Sequence, residues 1–326
     1  MTNRGQPGEI VAATGVDDTY LPLVWPLARS AARRLAPHRR ITLHVLHLGT
    51  DEALAARLGR LRLPRLTVVL HSLGHRLAHL QLPGRLPPAT YGRLLVPELV
   101  PDRRALYLDP DILVRADLGE LFDTNLGACQ IGGVPDVPQS LLTDKIEAPG
   151  FTGSWAEYCT QLLGLADDPV RLTYINVGVL LLDLERLRAE RFTERALELA
   201  VKLRDTTLWH DQDVINVLGE GSIALLDAKW NVMPPVLAGP LPEAAHLRGL
   251  VERQRAARAV VHFAGSHKPW ARWSAHAPAW WRAAAFSPAM PLGLARLRSS
   301  LGATLRRKAP RIFDLLRHMR RRPGHT

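Results

Sequence analysis

The first 70 residues switch between two apolar periods in strict turn. Ile10-Val11-Ala12-Ala13 is a short apolar run. Leu21 to Leu35 places Leu23, Leu27, Ala31 and Leu35 at helical spacing despite Pro22 and Pro26. Ile41 to Leu48 alternates as a strand does, Glu52 to Leu61 returns to the helical period, and Leu66 to Leu70 is again extended. Consecutive parallel strands need a crossover, and a helical crossover covers one face of the sheet. The expectation is therefore an α/β fold built on a mostly parallel sheet. In such sheets ligands bind beyond the carboxyl ends of the strands.

Two stretches with chemical potential fall at such ends. One is Thr14-Gly15-Val16-Asp17-Asp18-Thr19-Tyr20, a turn-rich loop with two acids and an aromatic. The other lies in Leu106-Tyr107-Leu108-Asp109-Pro110-Asp111-Ile112-Leu113-Val114, an apolar run that pauses to show two carboxylates and resumes. Pro110 pushes Asp109 toward extended backbone, where side chains alternate, so Asp109 and Asp111 can point the same way. Two carboxylates facing one spot repel unless a cation sits between them, and such oxygen ligands suit magnesium, manganese or calcium. The ordinary reading is a strand followed by an acidic turn.

Downstream, Gln81 to Pro88 reads as a Pro/Gly-rich loop and Thr90 to Leu99 as a helix. Asp117 to Phe122 reads as a helical turn, Ala128 to Val134 as a strand ending at Asp136, and Thr152 to Leu165 as an amphipathic helix. Thr173 to Leu184 is a strongly apolar strand region interrupted by Asn176 and Gly178. Thr193 to Leu203 suits a helix with Thr193 as N-cap, and a further helix begins at His210-Asp211-Gln212-Asp213. Ile223 to Leu226 and Ala259 to Phe263 close the series as strands.

The net charge of +11 is unevenly placed. Residues 291–326 hold ten basic side chains against one acid, Asp314, which leaves only +2 on the preceding 290 residues. The expected organisation is one domain over 1–290 and a basic amphipathic extension over 291–326. Leu294, Leu297, Leu301 and Leu305 recur at helical spacing among arginines. That pattern suits either packing on the domain or the surface of an anionic membrane. Cys129 and Cys159 give neither a metal-ligand spacing nor a disulfide framework, which fits a reducing cytoplasm. No apolar run approaches the ~18 residues a membrane span needs, and Met1 to Glu9 lack a signal-peptide core.

Five polar clusters interrupt the apolar elements: Asp17/Tyr20, Asp109/Asp111, Asn176, Asp211/Gln212 and His262/Lys268. Each has an ordinary reading as a cap, a bulge, a core histidine or a solvated charge. Their order and spacing say more. Ala12-Ala13 through Asp17-Asp18-Thr19-Tyr20, Tyr91-Gly92-Arg93-Leu94, Tyr107-Leu108-Asp109-Pro110-Asp111 and Tyr174-Ile175-Asn176-Val177-Gly178-Val179-Leu180-Leu181 come first. Asp211-Gln212-Asp213 and His262-Phe263-Ala264-Gly265-Ser266-His267-Lys268-Pro269-Trp270 follow. Over Ile10 to Trp270 the chain resembles the retaining glycosyltransferases of family 8, the group that contains bacterial lipooligosaccharide galactosyltransferases and glycogenin.

The resemblance implies a GT-A fold, a Rossmann-like mixed and mostly parallel sheet flanked by helices, with a basic helical tail added here. It implies a UDP-galactose or UDP-glucose donor and a saccharide or lipid-linked acceptor. Asp109, Asp111 and His262 would ligate Mn²⁺, with Mg²⁺ as the alternative. Lys268 and the backbone at Gly265 would meet the diphosphate. Ala13 and Thr14 would belong to the donor site, Asp17 would hydrogen-bond the uracil edge and Tyr20 would stack on its face. Arg93, Asp136, Asn176, Asp211 and Gln212 would contact the transferred sugar. Gln212 would lie nearest the anomeric carbon, which favours front-face attack; a covalent intermediate on Asp211 is the other route. Residues 137–155 match nothing in the family pattern and leave the acceptor open. Other readings are a UDP-sugar-binding protein without transfer activity, a nucleotidyltransferase on a similar sheet, and a nucleic-acid-binding protein acting through the tail. The +2 body shows no basic stripe with interleaved aromatics, so no nucleic acid is expected. The expected location is cytoplasmic, with peripheral contact to the membrane through the tail.

Overall fold

The computed structural model describes residues 8–74, 76–77, 88–137, 146–148, 150–165, 173–238, 241–242, 245–265, 268–270 and 276–296. The opening alternation gives β1 (Glu9–Val16), α1 (Val24–Arg34), β2 (Arg40–His47), α2 (Glu52–Gly59) and β3 (Leu66–Ser72). A run of 3-10 turns over Pro88–Leu95 leads into α3 (Val96–Leu99), β4 (Arg104–Leu108), β5 (Ile112–Val114) and α4 (Gly119–Phe122). Next come β6 (Ile131–Pro135), β7 (Ile146–Ala148), β8 (Phe151–Gly153), α5 (Trp155–Glu157) and β9 (Ile175–Asp183). Then follow α6 (Leu184–Ala189), α7 (Phe192–Leu203), α8 (Asp211–Leu218) and β10 (Ile223–Leu225). Then come α9 (Pro234–Ala238), α10 (Ala245–Ala256), β11 (Val260–His262) and α11 (Ala277–Ala284), and the described part ends in helix over residues 289–296.

Seven strands form one sheet in the order β10-β6-β9-β4-β1-β2-β3. All neighbours are parallel except β9, which runs antiparallel between β4 and β6. The sheet is thus mixed and mostly parallel, as expected. Alternation along the strands feeds two cores. Ile10, Ala12, Leu43, Leu106 and Val179 pack with α1 on one face. Val11, Ala13, Tyr107 and Leu180 pack with α3 and α7 on the other. Because β9 is antiparallel, its first residues lie beside the carboxyl end of β4. That places Asn176 and Gly178 next to the acidic pair.

Three local expectations change. Thr90 to Leu99 is not one helix, because the 3-10 turns over Pro88–Leu95 bury Tyr91, Arg93 and Leu94 and only Val96–Leu99 is α-helical. Thr152 to Leu165 is not one amphipathic helix either. Phe151–Gly153 pairs with Ile146–Ala148 as a hairpin. Helix begins only after Ser154, whose side chain caps the Glu157 amide while Glu157 returns the bond to the Ser154 amide. It then widens into a π turn over Tyr158–Leu162. Thr193 is not an N-cap: α7 starts at Phe192 after Arg191 at φ 55°, and the Thr193 hydroxyl donates to the Leu94 carbonyl. The loop expected over 81–88 falls almost wholly outside the described residues, as does the extension beyond residue 296. No helix among the described residues is long and apolar enough to cross a membrane.

Candidate active site

A cleft of about 340 Å³ opens where the carboxyl ends of β1 and β4 meet the start of β9. That volume falls within the range of small-molecule sites. Its floor is built by pairing. The Asp109 amide donates to the Gly178 carbonyl at 2.8 Å, carrying the β4–β9 ladder one residue past the strand. Beyond Pro110, β5 pairs antiparallel with β11, Ile112 opposite His262, and the Phe263 amide donates to the Asp111 carbonyl. This ladder brings His262 against two acids from far earlier in the chain. His262 Nε2 lies 3.5 Å from Asp109 Oδ2 and 3.3 Å from Asp111 Oδ1. One ligand atom from each of the three lies within 4.8 Å of the others.

The surrounding hydrogen bonds fix the state of the imidazole. The Gly178 amide can only donate, and it meets Asn176 Oδ1 at 3.0 Å. That oxygen also faces Asn231 at 2.8 Å, so the Asn231 atom there is the Nδ2 donor. Asn231 Oδ1 then faces His262 Nδ1 at 3.0 Å and accepts its hydrogen. The Nε2 lone pair is therefore left facing two carboxylates. Three acceptors aimed at one spot require a cation: a second imidazole proton or a metal. Atoms 3.3–3.5 Å apart are close to the ~3 Å separation of neighbouring ligands around a six-coordinate divalent ion. The three residues fit such an ion, and the imidazole among carboxylates suits manganese better than calcium.

Lys268 Nζ bonds Asp111 Oδ2. Burial alone would raise the Asp111 pKa, but the Lys268 ammonium holds it well below the usual carboxylate range. Burial works against the Lys268 charge, yet Asp111 keeps that ammonium above its ordinary value. The same ammonium lies 5.7 Å from the centre of the Tyr20 ring.

Arg93 ties the remaining wall together. Nη1 donates to the Val177 carbonyl at 2.7 Å and Nη2 to Asp109 Oδ1 at 2.9 Å. Nε lies 2.8 Å from Asp211 Oδ2, an ion pair rather than an aligned hydrogen bond. Burial pushes the Asp211 carboxyl up to about 7, with Arg93 opposing the rise and Asp109 adding to it. His210, just before α8, has φ 48°, a sparsely populated conformation for a non-glycine residue. It turns the chain so that Trp209, Asp211 and Gln212 all line the cleft. Gln212 is held at both ends: Oε1 accepts from Asn176 Nδ2 at 3.2 Å and the Val177 amide at 3.3 Å, and Nε2 donates to Asp136 Oδ2 at 3.0 Å.

The expected residues divide into wall and support. Asp17, Tyr20, Arg93, Asn176, Gly265 and Lys268 line the cleft together with Asp109, Asp111, His262, Asp211 and Gln212. Asp17 also accepts from the Tyr20 amide at 2.8 Å, while its neighbour Asp18 is turned away to His47 and the Thr50 and Asp51 amides. Ala13 and Thr14 are fully buried in β1 behind the cleft, and Gly15 and Val16 take their place on the wall. Asp136 is buried behind Asn176 and Gln212 and orients both amides. Sequence reasoning missed Asn231 and Asp213. Asp213 accepts from the Tyr158 hydroxyl at 2.8 Å, the Tyr174 hydroxyl at 2.5 Å and the Trp209 amide at 2.9 Å, which pins the entry to α8. The only signal for Asn231 was a lone amide between Trp230 and the apolar Val232-Met233.

The model of the glycosyl transferase family 8 matches residues 11–274. Among curated relatives, the chain is 26% identical over 173 residues to the lipopolysaccharide 1,2-glucosyltransferase of Escherichia coli, covering 52% of this chain and 45% of that protein. The chain spans about half the length of the curated relatives it matches. Among solved structures, the galactosyltransferase LgtC in complex with donor and acceptor sugar analogs superposes with a TM-score of 0.67 at 27% identity, covering 86% of this chain and 96% of that one. The bifunctional WbbM superposes with a TM-score of 0.76 at 20% identity over 90% of this chain and 52% of its own, a likeness of fold.

Proposed function

The chain belongs to glycosyl transferase family 8 and has the GT-A fold, and from that premise we propose that it moves a hexose from a UDP-sugar to an acceptor hydroxyl with retention at the anomeric carbon. Galactose and glucose are the hexoses we favour, and a saccharide or lipid-linked molecule the acceptor. The likeness to LgtC and to the lipopolysaccharide glucosyltransferase supports that choice. The observation that carries the proposal is the trio Asp109, Asp111 and His262, held with the Nε2 lone pair toward both carboxylates.

A divalent cation held there, Mn²⁺ or Mg²⁺, would supply Lewis acidity to the diphosphate oxygens as UDP departs. The protein's own groups do the rest. Lys268 sits between Asp111 and Tyr20, where a diphosphate joins a stacked uracil to the acids, and its point charge suits phosphate oxygens. Asp17 and Tyr20 take the base, one by hydrogen bond and one by stacking. Arg93, Asn176, Asp211 and Gln212 take sugar hydroxyls.

Retention needs either a nucleophile opposite the leaving group or attack from the same face. Gln212 is a neutral amide bonded at both ends, with Asp136 locking its orientation. Asp211 is pinned by Arg93, and burial leaves it partly protonated near neutral pH. Neither is a good nucleophile, which favours front-face attack. The acceptor oxygen then bonds the anomeric carbon as the bond to the UDP oxygen breaks, and the acceptor proton passes to the departing phosphate.

Measuring UDP release from UDP-galactose and UDP-glucose, with Mn²⁺ and then with chelator, tests the reading. Release is expected with one of the two donors and is expected to stop on chelation. Turnover indifferent to chelator would remove the cation from the account. Binding of UDP-sugars without any release, with every acceptor tried, would leave a binding protein instead.

A further inference from the structure

We propose that the groove between α1, β5 and α11 is a second ligand site that holds the phosphate group of a phosphate ester. The groove encloses about 510 Å³ and shares no lining residue with the cleft. Its polar lining comprises Ser30, Arg33, Arg34, Arg115, His276 and Arg282, and among the described residues no carboxylate lines it. Burial holds the Arg115 pKa down, and its neighbours Arg258 and Arg34, both of its own sign, add to that effect. Ser30 is already satisfied, donating to the Leu27 carbonyl and accepting from the Val114 amide. The arginines are the groups left to act on a ligand.

His276 gives the groove an independent mark. It is 4% exposed. Its Nδ1 lies 2.5 Å from Arg115 Nη1, and a guanidinium has only hydrogens to give, so Nδ1 accepts. Burial, with Arg115 and Arg258 nearby, pushes the imidazole down to about 4. The neutral ring therefore carries its hydrogen on Nε2, and that donor has no partner among the described residues. A buried donor without an acceptor loses its hydration without compensation. Like charges gathered in one groove add repulsion to that cost. One oxyanion relieves both. Guanidinium forks match phosphate oxygens in pairs, while the Leu113, Ala279 and Ala283 side chains give an apolar wall for the carbon part of an ester.

The groove is tied to the cleft by one short strand. Asp111 precedes β5 and Arg115 follows it, so the two lie about 13 Å apart at ~3.3 Å per residue. A phosphate there is too far away to react. It anchors, at the back of the ribbon whose front holds the trio.

The test uses the full chain labelled with ¹⁵N at histidine, with His276→Gln assigning the resonance among the thirteen histidines. Inorganic phosphate is one probe. Phosphatidylcholine vesicles with and without phosphatidylglycerol, read by co-sedimentation, are the other. The His276 Nε2 signal is expected to shift saturably with phosphate, or the chain to sediment only with the anionic vesicles. The first result assigns a free phosphate, the second a lipid headgroup, and both support the site. Arg34→Gln/Arg115→Gln/Arg282→Gln is expected to weaken the response at least tenfold, while Asp111→Asn leaves it unchanged. No saturable response to either probe, an equal response in the triple variant, or loss of the response in Asp111→Asn overturns the proposal.

Discussion

The His262 ring lies against the backbone of Gly178: a Cβ added there would come within 2.6 Å of Nδ1 and 2.9 Å of Asp109 Oδ2. The glycine in β9 is thus the space that the imidazole occupies. Gly178→Ala is expected to cost about 1–3 kcal/mol of stability by overpacking. It should also abolish the extra thermal stabilisation that UDP with Mn²⁺ is expected to give the parent, because the ring cannot hold its place. Differential scanning fluorimetry with and without Mn²⁺ and UDP reads both effects.

Asn231 sets the imidazole from behind. Asn231→Leu keeps the bulk but removes the acceptor of the Nδ1 hydrogen, so the ring is free to present the wrong nitrogen. Supporting residues of this kind are worth ~10–100-fold in metal affinity. The expected result is Mn²⁺ binding weakened by that factor, measured by calorimetry, with the far-UV spectrum unchanged.

Asp111→Asn tests the trio from the front. The variant should fold, since Lys268 is only partly buried and can reach water. Its response to Mn²⁺ with UDP should vanish. A full response would show that the cation sits elsewhere.

Tyr20→Ala removes the proposed uracil platform and the ring over which Lys268 and Arg296 lie. Base stacking is worth about 1–3 kcal/mol, so UDP should bind roughly 5–150-fold more weakly. Unchanged affinity would remove Tyr20 from the nucleotide site.

Asp213 gives a pH signature. Burial pushes its carboxyl from 3.8 up to about 6, although Tyr174, Tyr158 and the Trp209 amide favour the charged form. Between those values the folded chain keeps a proton that the unfolded chain has lost. Stability contributed by this group therefore falls as pH rises from about 4 to about 6 and levels above that, by on the order of 2–3 kcal/mol. Asp213→Asn should flatten that part of the profile, as read by urea unfolding at pH 4.5 and 7.

How much of this was legible in the sequence follows from the range of the interactions. The opening strands and helices were readable because alternation and helical spacing are local signals and both faces of the sheet are buried. The β1 run was read three residues short at its end, since Thr14, Gly15 and Val16 look like loop yet pair with Val45, Leu46 and His47. Thr152 to Leu165 carried the right spacing for a helix, but the capping box at Ser154 and the hairpin before it decide the outcome. In the site, Asp109, Asp111 and His262 announced themselves through ordered motifs. Asn231 did not, because its role lies in bonds to groups 31 and 55 positions away. Asp136 was read as a contact to the sugar, and its buried place behind two amides is fixed only by the β6–β9 register.

The three-pair ladder between β5 and β11 also sets a timetable. Closing it means joining segments about 150 positions apart, a loop whose entropy must be met before the pairing stabilises anything. During synthesis the two carboxylates emerge long before the imidazole, so a nascent chain arrested before residue 260 carries a half-formed cage. Competence for the cation is in that sense a late checkpoint of folding, and the ion, by favouring the closed ladder, would act as the clasp that completes it.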